Sequence, residues 1–560
     1  MNYSVKNQVL NQQKSKSANF YHSDTLFQEF LKRKISKEGL SYMNDKLENL
    51  GKQAALEMDV LSLDADKNGP ELVKRDFYGE DIDAIKFHPA YDRLLEIAVE
   101  SEMFTVKWKP ELRKKFEGES HRLGFTSGYL FALSESGQYC PLCMTDGVAR
   151  LIDFYSEAED KKRLLPHIST KDVNELFTGA MFLTEKSGGS DVGRNLVKAV
   201  HKEGKYYALS GEKWFCSNVN AEIIFALART DEEVQGTKGL SIFLIEKTTK
   251  DGQPNKLPIV RLKDKLGVRS MASAECVLDH TEGKLVGEEF NGFKIMTDMI
   301  NLSRLYNSVA ALSAGRRALV EAYQFLLYRE SFGKFAIEHP LVREKLYELG
   351  SLNVANFYLT WRAIEALDKS DAGDEVEKQL VRILTPMVKK WSAEQTVYIT
   401  RESMELMGGI GYIEDGVMPK IMRDCMVLPI WEGSGNIMIL DMLRASFKSE
   451  GLPTMLKMIH ESVENAGAFK EVMRTTLSKL QKNAQAFQSL EKEPLQLQAK
   501  IFFEELTTLY QLSLIVNNLN GENKAWMFPT ATFLSQKLKK ETNTKLYSVE
   551  EIKGLIAWEI

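Results

Sequence analysis

The chain has 560 residues, too many for a single hydrophobic core, and its length predicts two to four packed units. Its hydrophobic content of 44% and charged content of 27% are typical of a soluble globular protein, and the net charge of −5 gives no reason to expect a polyanionic partner. Five cysteines are too few for a disulfide framework and fit a reducing compartment.

The N-terminal segment MNYSVKNQVLNQQKSKSANFYHSD is polar and lacks the apolar core of a secretion signal. No later stretch reaches the roughly 18 uninterrupted apolar residues that a membrane span requires. We therefore expect a cytoplasmic protein without a membrane segment, in which residues 1–40 form an N-terminal arm.

Helical periodicity from about residue 41 to residue 180 predicts an N-terminal helical domain, interrupted by loops at DADKNGPE and HPAYD. Within it, Cys140 and Cys143 form a C-x-x-C, which suits a redox pair or half of a zinc site. No second C-x-x-C follows in the sequence, and no histidine pair has ligand spacing. We therefore favour two buried free thiols over a metal site.

The pattern changes at residues 181–290, where YYALSG, EIIFALA, LSIFLIE and AECVLD predict the strands of a middle β domain. The segment MFLTEKSGGSDVGRN opens this domain and carries Thr184, Gly189 and Ser190. Small residues let the backbone approach a ligand, and successive N–H groups with hydroxyls suit a phosphate or the edge of a flavin ring. A surface hairpin is the alternative for such a glycine cluster, and the segment lacks the Gly-Lys-Ser/Thr ending of a Walker A loop.

The segment SGEKWFCSN, further along the same domain, places Phe215 beside Trp214 and two residues before Ser217. A planar cofactor needs an aromatic wall and a hydroxyl near its reactive nitrogen, so this set of side chains suits cofactor binding. A strand with aromatic core residues is the alternative interpretation.

Helical periodicity returns at residues 291–446, where Leu305, Val309, Leu312 and Leu319 begin one apolar stripe and predict a long helix of a bundle. After this helix, YRESFGKF places Arg329 three residues before Phe332.

The guanidinium fork of Arg329 suits a pyrophosphate, although an arginine at a helix end more often helps to satisfy terminal carbonyls. Further on, LMGGIGYIEDG contains Gly408 and Gly409, and glycines at this density indicate close backbone packing or the approach of a ligand.

The segment LPIWEGSGNI isolates one carboxylate, Glu432, in an otherwise uncharged stretch. One interpretation is a loop acid near a helix start, with Asn436 capping the run that begins at Ile437. The other is a general base, because an apolar and poorly hydrated setting raises the pKa of a carboxylate and makes it a better proton acceptor near neutral pH.

Residues 447–560 predict an extra C-terminal helical domain, with LQAKIFFEELTTLYQLSLIVNNL as its most apolar helix. Residues 451–560 hold 13 Lys and Arg against 12 Asp and Glu, so this region is nearly neutral. The order of helical and β-rich segments predicts an α+β fold, with the middle β domain between two helical segments.

Taken in order, these motifs resemble the acyl-CoA dehydrogenase family of flavoproteins, whose signatures are similar to TEKSGGSD near the start of the β domain and to GGIGY, RD and WEGS near the end. The resemblance spans roughly residues 70 to 446. Longer stretches, among them ELVKRDFYGEDIDAIKFHPAYDRLL, GEKWFCS, RLKDKLGVRSMASAE and IWEGSGNIMILDMLR, are similar to the alkylation-response branch of that family, AidB. The family's fold implies a helical domain, a β-barrel or sheet domain and a four-helix bundle.

The resemblance also implies an FAD site shared between the subunits of a homotetramer. Thr184 would bond the pyrimidine edge of the flavin, and Gly189 and Ser190 would lie near the pyrophosphate or the acyl carrier. Phe215 would form a wall of the ring, with Ser217 near its N5.

The helical region supplies the remaining implied residues. Glu432 would remove the α proton of an acyl-CoA thioester while the β hydrogen leaves as hydride to the flavin, and the electrons would pass to a carrier protein or to oxygen. Four residues would reach the adenosine diphosphate half of an FAD held mainly by a neighbouring subunit: Arg329, Phe332, Gly408 and Gly409. The resemblance places three further cofactor contacts beside the base: Trp431, Ser434 and Asn436.

Four positions depart from the usual family pattern. Lys186 replaces the proline after Thr-Glu, Phe215 a tryptophan and Trp431 a tyrosine, as in the alkylation-response branch. Pro340 replaces the glutamine after His339 and removes a side-chain contact to the cofactor. The bulk of Trp431 would narrow the acyl pocket and favour short or branched acyl groups, or none.

Two functions are therefore expected from the sequence. The first is an FAD-dependent acyl-CoA dehydrogenase of restricted substrate range. The second is a flavoprotein of the DNA alkylation or stress response, with a vestigial acyl pocket and a C-terminal region that meets DNA. The near-neutral charge of residues 451–560 argues against strong phosphate binding. Arg444 on the helix after the base is expected to pair with Asp441 instead.

Overall fold

The computed structural model describes residues 19–541, 545 and 547–557. The predicted arm at 1–40 and the extra region at 447–560 therefore lie partly outside the described residues. Two compact units contain the described residues, the first those within 19–56, 117–134 and 307–557, and the second 57–116 and 135–306. The division into five domains stays a prediction.

The part of the chain before the β domain is mainly helical, as expected. Its first elements are α1 (Thr25–Lys34), α2 (Lys37–Leu56), α3 (Met58–Lys67), β1 (Glu71–Arg75) and β2 (Asp81–Lys86). Six helices follow: α4 (Pro89–Glu100), α5 (Thr105–Trp108), α6 (Pro110–Lys115), α7 (Ser120–Ala132), α8 (Tyr139–Tyr155) and α9 (Ala158–Ile168). The antiparallel pair of β1 and β2 was not predicted, because both strands are largely exposed and lack an apolar face.

The predicted β domain contains seven strands: β3 (Gly179–Phe182), β4 (Lys198–Glu203), β5 (Tyr206–Ser217), β6 (Ile223–Arg229), β7 (Leu240–Glu246), β8 (Ile259–Leu262) and β9 (Ser273–Leu285). The four strands expected from the sequence are β5, β6, β7 and β9. The sheet closes on itself because β7 pairs with both β6 and β9, while β3 and β8 add to its edges. Its interior is apolar, with buried residues such as Phe182, Leu209 and Phe243.

Helices return after the barrel. The elements are α10 (Gly292–Tyr328), β10 (Glu330–Ser331), β11 (Lys334–Phe335), α11 (Pro340–Asp371), α12 (Glu375–Met407), α13 (Met418–Cys425), α14 (Gly435–Lys448), α15 (Gly451–Val463), α16 (Lys470–Ala486), α17 (Lys492–Asn518), α18 (Lys524–Lys539) and α19 (Val549–Ile556). The predicted apolar stripe lies on α10, and the most apolar C-terminal segment forms α17.

The core of the first unit is aromatic. Phe27 on α1 and Tyr129 on α7 pack with Phe357 and Trp361 of α11, at ring separations between 4.8 and 6.5 Å. Such contacts bury large apolar areas and favour edge-to-face and tilted geometries. The C-terminal helices join this unit, since α17, α18 and α19 all pack on α11.

Two further predictions concern cysteine and charge. Cys143 is buried and Cys140 half-buried, neither in a disulfide, and the described residues contain no group of His, Cys, Asp and Glu arranged to hold a metal. The expected pair of Arg444 with Asp441 is present at 3.6 Å. Among the helices of the described chain, none is long and apolar enough to cross a membrane.

Candidate functional site

The glycine-rich segment that begins at Thr184 follows β3 in the second unit. The carbonyl of Thr184 accepts a hydrogen bond from the N–H of Trp214 on β5, at 2.9 Å. Gly189 packs so closely on Thr184 that a Cβ there would lie 2.9 Å from the threonine hydroxyl oxygen. Ser190 follows at an exposed position. The structure thus brings Thr184 and Gly189 next to the aromatic pair of β5.

Phe215 and Ser217 lie at the end of β5. The strand pairing shifts register between Lys213 and Cys216, so a bulge there redirects the Phe215 ring, which is 59% exposed. The Ser217 hydroxyl lies 3.0 Å from the hydroxyl of Ser273 on β9. Both predicted side chains are therefore accessible or half-buried on one strand end, as a ligand wall requires.

A buried ion pair between β5 and the glycine-rich segment fixes the position of that segment. Lys213 and Glu185 are both buried, and the lysine Nζ lies 2.8 Å from the Glu185 carboxylate. That carboxylate also accepts the backbone N–H groups of Leu196 and Val197, at 2.5 and 3.2 Å. Burial lowers the pKa of Lys213, and the charge of Glu185 opposes this effect. No sequence motif indicated this role of Lys213.

Arg229 on β6 holds the far end of the same segment. Its guanidinium donates to the carbonyl of Asn195 at 2.7 Å and to that of Gly193. It also donates to the carbonyls of Val234 and Gly236, at 2.7 and 3.2 Å. One buried arginine therefore joins two loops of the barrel, which no sequence motif indicated.

A positively charged side chain lies over the aromatic pair of β5. The Nζ of Lys263 is 3.7 Å from the Trp214 ring centroid and 4.7 Å from that of Phe215. Lys263 also binds Glu275 at 2.7 Å, and this bond is the main cause of a lowered pKa of Glu275. Cation–π contact and the ion pair together fix the orientation of these rings.

Glu432 is presented in the first unit on a left-handed turn, with φ of 56°. Its side chain is half-buried. On one side the indole N–H of Trp431 donates to the Oδ1 atom of Asn307 on α10. On the other side the Nζ of Lys389, on α12 and fully buried, donates to the carbonyl of Gly433 at 2.5 Å. The turn that carries Glu432 is therefore held at both flanking residues.

Helix α14 begins directly after this turn. It starts at Gly435 with Ser434 at the N-cap, so the expectation that Asn436 caps a helix beginning at Ile437 was wrong. A side chain at position 435 would displace the carboxylate of Glu394, because a Cβ there would lie 2.5 Å from its Oε1 atom. Ser434 and Asn436 are exposed at the start of the helix, where backbone N–H groups are available to a ligand.

The other predicted residues of the first unit lie on two turns. Arg329 is exposed directly after α10, and Phe332 forms the tip of the β10–β11 hairpin with φ of 51° and a ring that is 97% exposed. Gly408 and Gly409 directly follow α12, and apart from the adjoining residues no atom of the described chain lies within 4 Å of a Cβ built on either. The backbone is open to a ligand at both glycines.

These residues form two groups, one in each unit. The second unit provides Thr184, Gly189, Ser190, Phe215 and Ser217. The first unit provides eight: Arg329, Phe332, Gly408, Gly409, Trp431, Glu432, Ser434 and Asn436. Both groups combine an exposed aromatic ring with glycines and polar donors, and the two glycines of the first unit are open. This chemistry fits a large cofactor with a planar ring and phosphates.

Three family models match consecutive parts of the chain. The adaptive response protein AidB N-terminal domain matches residues 7–174, the acyl-CoA dehydrogenase middle domain residues 180–281, and the acyl-CoA dehydrogenase C-terminal domain residues 291–447. Together they cover the expected helical, β and helical-bundle segments in the expected order.

Curated relatives and solved structures agree with these matches. The chain is 31% identical over 483 residues to the putative acyl-CoA dehydrogenase AidB of Escherichia coli, covering 84% of this chain and 86% of that protein. It is 29% identical over 486 residues to acyl-CoA dehydrogenase family member 11 of Caenorhabditis elegans, covering 85% and 77%. The crystal structure of Caenorhabditis elegans ACDH-11 in complex with C11-CoA matches with a TM-score of 0.85 at 25% identity, over 96% of this chain and 95% of that chain. The chain therefore belongs to the acyl-CoA dehydrogenase family, whose cofactor is FAD, and resembles its AidB branch.

Proposed function

We propose that the protein is an FAD-dependent dehydrogenase that introduces a double bond between the α and β carbons of an acyl-CoA thioester. The observation that carries this proposal is the fixed turn at Glu432, which Lys389 and Asn307 hold through the residues on either side. A base must be positioned before it can remove a weakly acidic C–H proton. Glu432 is the catalytic base in this proposal.

The geometry of the turn supports this role. A left-handed conformation costs a non-glycine residue roughly 1 kcal/mol or more, and such conformations cluster at functional sites. At Glu432 the cost is offset by the bond from Lys389 to Gly433 and by the bond of Trp431 to Asn307. The backbone at Glu432 is thus held in place by the bonds of the two residues beside it.

The two groups of residues described above would bind FAD. Thr184, Ser217 and the backbone at Gly189 and Ser190 would donate to its polar edges, and Phe215 would cover a ring face. In the first unit, Arg329 and the backbone at four positions suit phosphates: Gly408, Gly409, Ser434 and Asn436. Phe332 and Trp431 would supply apolar walls. When bound, FAD supplies the hydride acceptor of the reaction.

The acyl group is proposed to be short or branched, because Trp431 is larger than the usual tyrosine and is fixed by Asn307. The Caenorhabditis elegans structure holds C11-CoA, so the proposal is tested with a panel that contains both classes. The proposed acceptor of the electrons is a carrier protein or oxygen, and the proposed assembly is a homotetramer.

Anaerobic titration with acyl-CoA tests the proposed reaction. Butyryl-CoA, isobutyryl-CoA and undecanoyl-CoA are added to the FAD-loaded protein while the flavin absorbance is recorded. We expect at least one to bleach the flavin band, and Glu432→Gln to slow bleaching about a thousandfold with FAD retained. Glu461→Gln, a substitution at an exposed position on α15, is the matched control. An FAD-loaded protein that no member reduces would contradict the proposal.

A second candidate function is favoured by the match of residues 7–174 to the AidB N-terminal domain. In it, the protein serves the response to DNA alkylation and binds DNA through residues 451–560, with vestigial dehydrogenase activity. A gel-shift titration at increasing salt tests it, because binding through phosphates weakens steeply as salt rises. Failure to shift duplex DNA at low salt would exclude this candidate.

A further inference from the structure

The end of β5 that carries Ser217 lies beside the loop 263–272, which connects β8 to β9. Ser217 is paired in the sheet with Ser273, the first residue of β9. At the start of the loop, the N–H of Lys263 donates to the carbonyl of Ser273 at 2.8 Å. The loop is therefore fastened next to Ser217.

The half-buried side chain of Lys265 folds back over this loop. Its Nζ atom donates to the carbonyl of Met271 at 2.5 Å and to the hydroxyl of Ser273 at 3.2 Å. Between these residues Val268 is left-handed, with φ of 47°. This conformation is rare for a β-branched residue, and such conformations cluster at functional sites. Lys265 thus holds an unfavourable loop conformation and places its ammonium group beside the Ser273 hydroxyl.

The hydrogen bonds that start at Lys265 have a fixed direction. An ammonium group only donates, so the hydroxyl oxygen of Ser273 accepts from it. The same oxygen lies 3.0 Å from the hydroxyl of Ser217. Ser273 is buried, and its hydroxyl makes no other hydrogen bond with the residues that the structure describes. If Ser217 donated to Ser273, the Ser273 hydrogen would stay unpaired in the interior, which is unfavourable. Ser273 therefore donates to Ser217.

This direction leaves the hydrogen of the Ser217 hydroxyl available to a ligand, because its oxygen already accepts from Ser273. Ser217 is half-buried and lies two residues after the exposed ring of Phe215. Consecutive hydrogen bonds polarise one another, so an ammonium group at the start of the chain makes the last hydroxyl a stronger donor. Without Lys265, the two serines could each donate to the other, and Ser217 would lose both its fixed direction and this polarisation.

We propose that Lys265 is a positioning residue of the flavin site, which acts through Ser273 to make the Ser217 hydroxyl a hydrogen-bond donor to the flavin N5. The inference rests on the proposed function, in which Ser217 lies near N5. It adds the direction of that hydrogen bond and the residue that sets the direction. Lys265 needs no contact with the cofactor for this role.

Competition between FAD and 5-deaza-FAD tests the inference, because a C–H group replaces N5 in the analogue and accepts no hydrogen bond. The FAD-loaded, full-length protein is equilibrated with mixtures of the two flavins, and the bound flavins are quantified after gel filtration. We expect the parent to prefer FAD by about 10-fold, in the range of one strong neutral hydrogen bond. Ser217→Ala should lower this preference to about 1.

Two variants interrupt the chain of hydrogen bonds behind Ser217. Lys265→Met and Ser273→Ala both separate the Ser217 hydroxyl from the ammonium charge, so each should lower the preference for FAD to about 3-fold. A merely structural role of Lys265 would weaken the binding of both flavins equally and leave the preference unchanged. Lys256→Met, at an exposed position before β8, is the matched control and should keep the parental preference.

The inference is overturned if the parent shows no preference for FAD, or if Lys265→Met keeps the parental value. It is also overturned if Lys265→Met lowers the preference and Ser217→Ala does not, because the effect then bypasses Ser217. Flavin bleaching by acyl-CoA tests the dehydrogenase reaction separately. A parent that bleaches, with a flavin preference that does not depend on Lys265, would contradict this inference alone. Thermal unfolding verifies that each variant is folded.

Discussion

The glycine-rich segment in the second unit and the turn at Glu432 in the first are both fixed by a buried lysine, but the partners of the two lysines differ. Lys213 binds the carboxylate of Glu185, whereas Lys389 binds the backbone carbonyl of Gly433. The first arrangement neutralises two buried charges and supports a loop through side chains. The second includes a bond from a buried lysine to a main-chain carbonyl beside the proposed base. Loss of each lysine should therefore have a different result.

The largest effect is expected from Lys213→Met. It leaves the buried Glu185 carboxylate without its cation, which costs about 3 to 5 kcal/mol in comparable buried pairs. We expect a strongly lowered unfolding midpoint and loss of bound FAD, measured by denaturant titration and by flavin absorbance after gel filtration. The glycine-rich segment should lose its fixed position, because the Glu185 carboxylate also accepts the backbone N–H groups of Leu196 and Val197.

The double variant Lys213→Met and Glu185→Gln is the control for this change. It removes both charges and keeps the volume, so most of the lost stability should return. If Lys213→Met alone unfolds at the parental midpoint, the ion pair does not support the segment.

Acid should destabilise the first unit, because it protonates Glu365, a carboxylate that pairs with two lysines. Burial raises the pKa of the Glu365 carboxyl, but Lys34 and Lys369 outweigh burial and hold the pKa at about 2. The folded-state pKa lies below the ordinary value of 4.5, so this stabilisation is complete above about pH 4.5 and is lost as pH falls towards 2. Allowing for screening at the partly exposed lysines, it amounts to about 2 to 3 kcal/mol.

Glu365→Gln tests this pH dependence. Urea unfolding should show the variant less stable than the parent at pH 7, with the difference shrinking steadily below pH 4.5. A difference that stays constant over this pH range would show that the lysines do not stabilise the carboxylate of Glu365.

Lys389→Met should lower the free energy of unfolding less than the preceding variants. Its main effect should be on turnover. The variant loses one charge-assisted hydrogen bond, worth roughly 2 kcal/mol, to the carbonyl of Gly433. Because the turn at Glu432 is then less well positioned, flavin bleaching should slow by about 10-fold or more with FAD content unchanged. Stopped-flow absorbance with saturating acyl-CoA measures the rate, and the exposed Lys457→Met on α15 is the matched control.

The contrast between the two regions also shows what the sequence could predict. Motifs predicted the residues that would face a ligand, such as Thr184 and Phe215, because small, polar and aromatic types recur there in a recognisable order; this assignment stays a prediction. Lys213, Lys389 and Arg229 were missed, because a lysine or arginine in a sequence ordinarily indicates a solvated surface. Only the folded chain shows that these three are buried and that each holds a loop next to predicted site residues.

The same contrast holds for the fold. The stripe that begins at Leu305 and the apolar run of α17 predicted long helices correctly, since a buried face repeats every three or four residues. The hairpin of β1 and β2 was missed because its residues are largely exposed, so it has no apolar alternation. The cap of α14 was misplaced from Ser434 to Asn436, because both residue types suit an N-cap and the sequence alone does not choose between them.

The smallest expected effect comes from Trp431→Tyr, which introduces the usual family residue. The change removes the indole N–H that donates to Asn307 and reduces the size of the ring. Stability should fall by about 1 kcal/mol, the typical worth of a neutral hydrogen bond.

If Trp431 limits the acyl pocket, the ratio of bleaching rates for undecanoyl-CoA and butyryl-CoA should rise by about 10-fold, as expected for a change of one or two carbon-sized groups. Asn307→Ala removes the same hydrogen bond without changing the ring, so it should reproduce the loss of stability and not the shift in acyl selectivity. Equal shifts in both variants would assign the effect to the mobility of the turn at Glu432, and the proposed steric role of Trp431 would then be wrong.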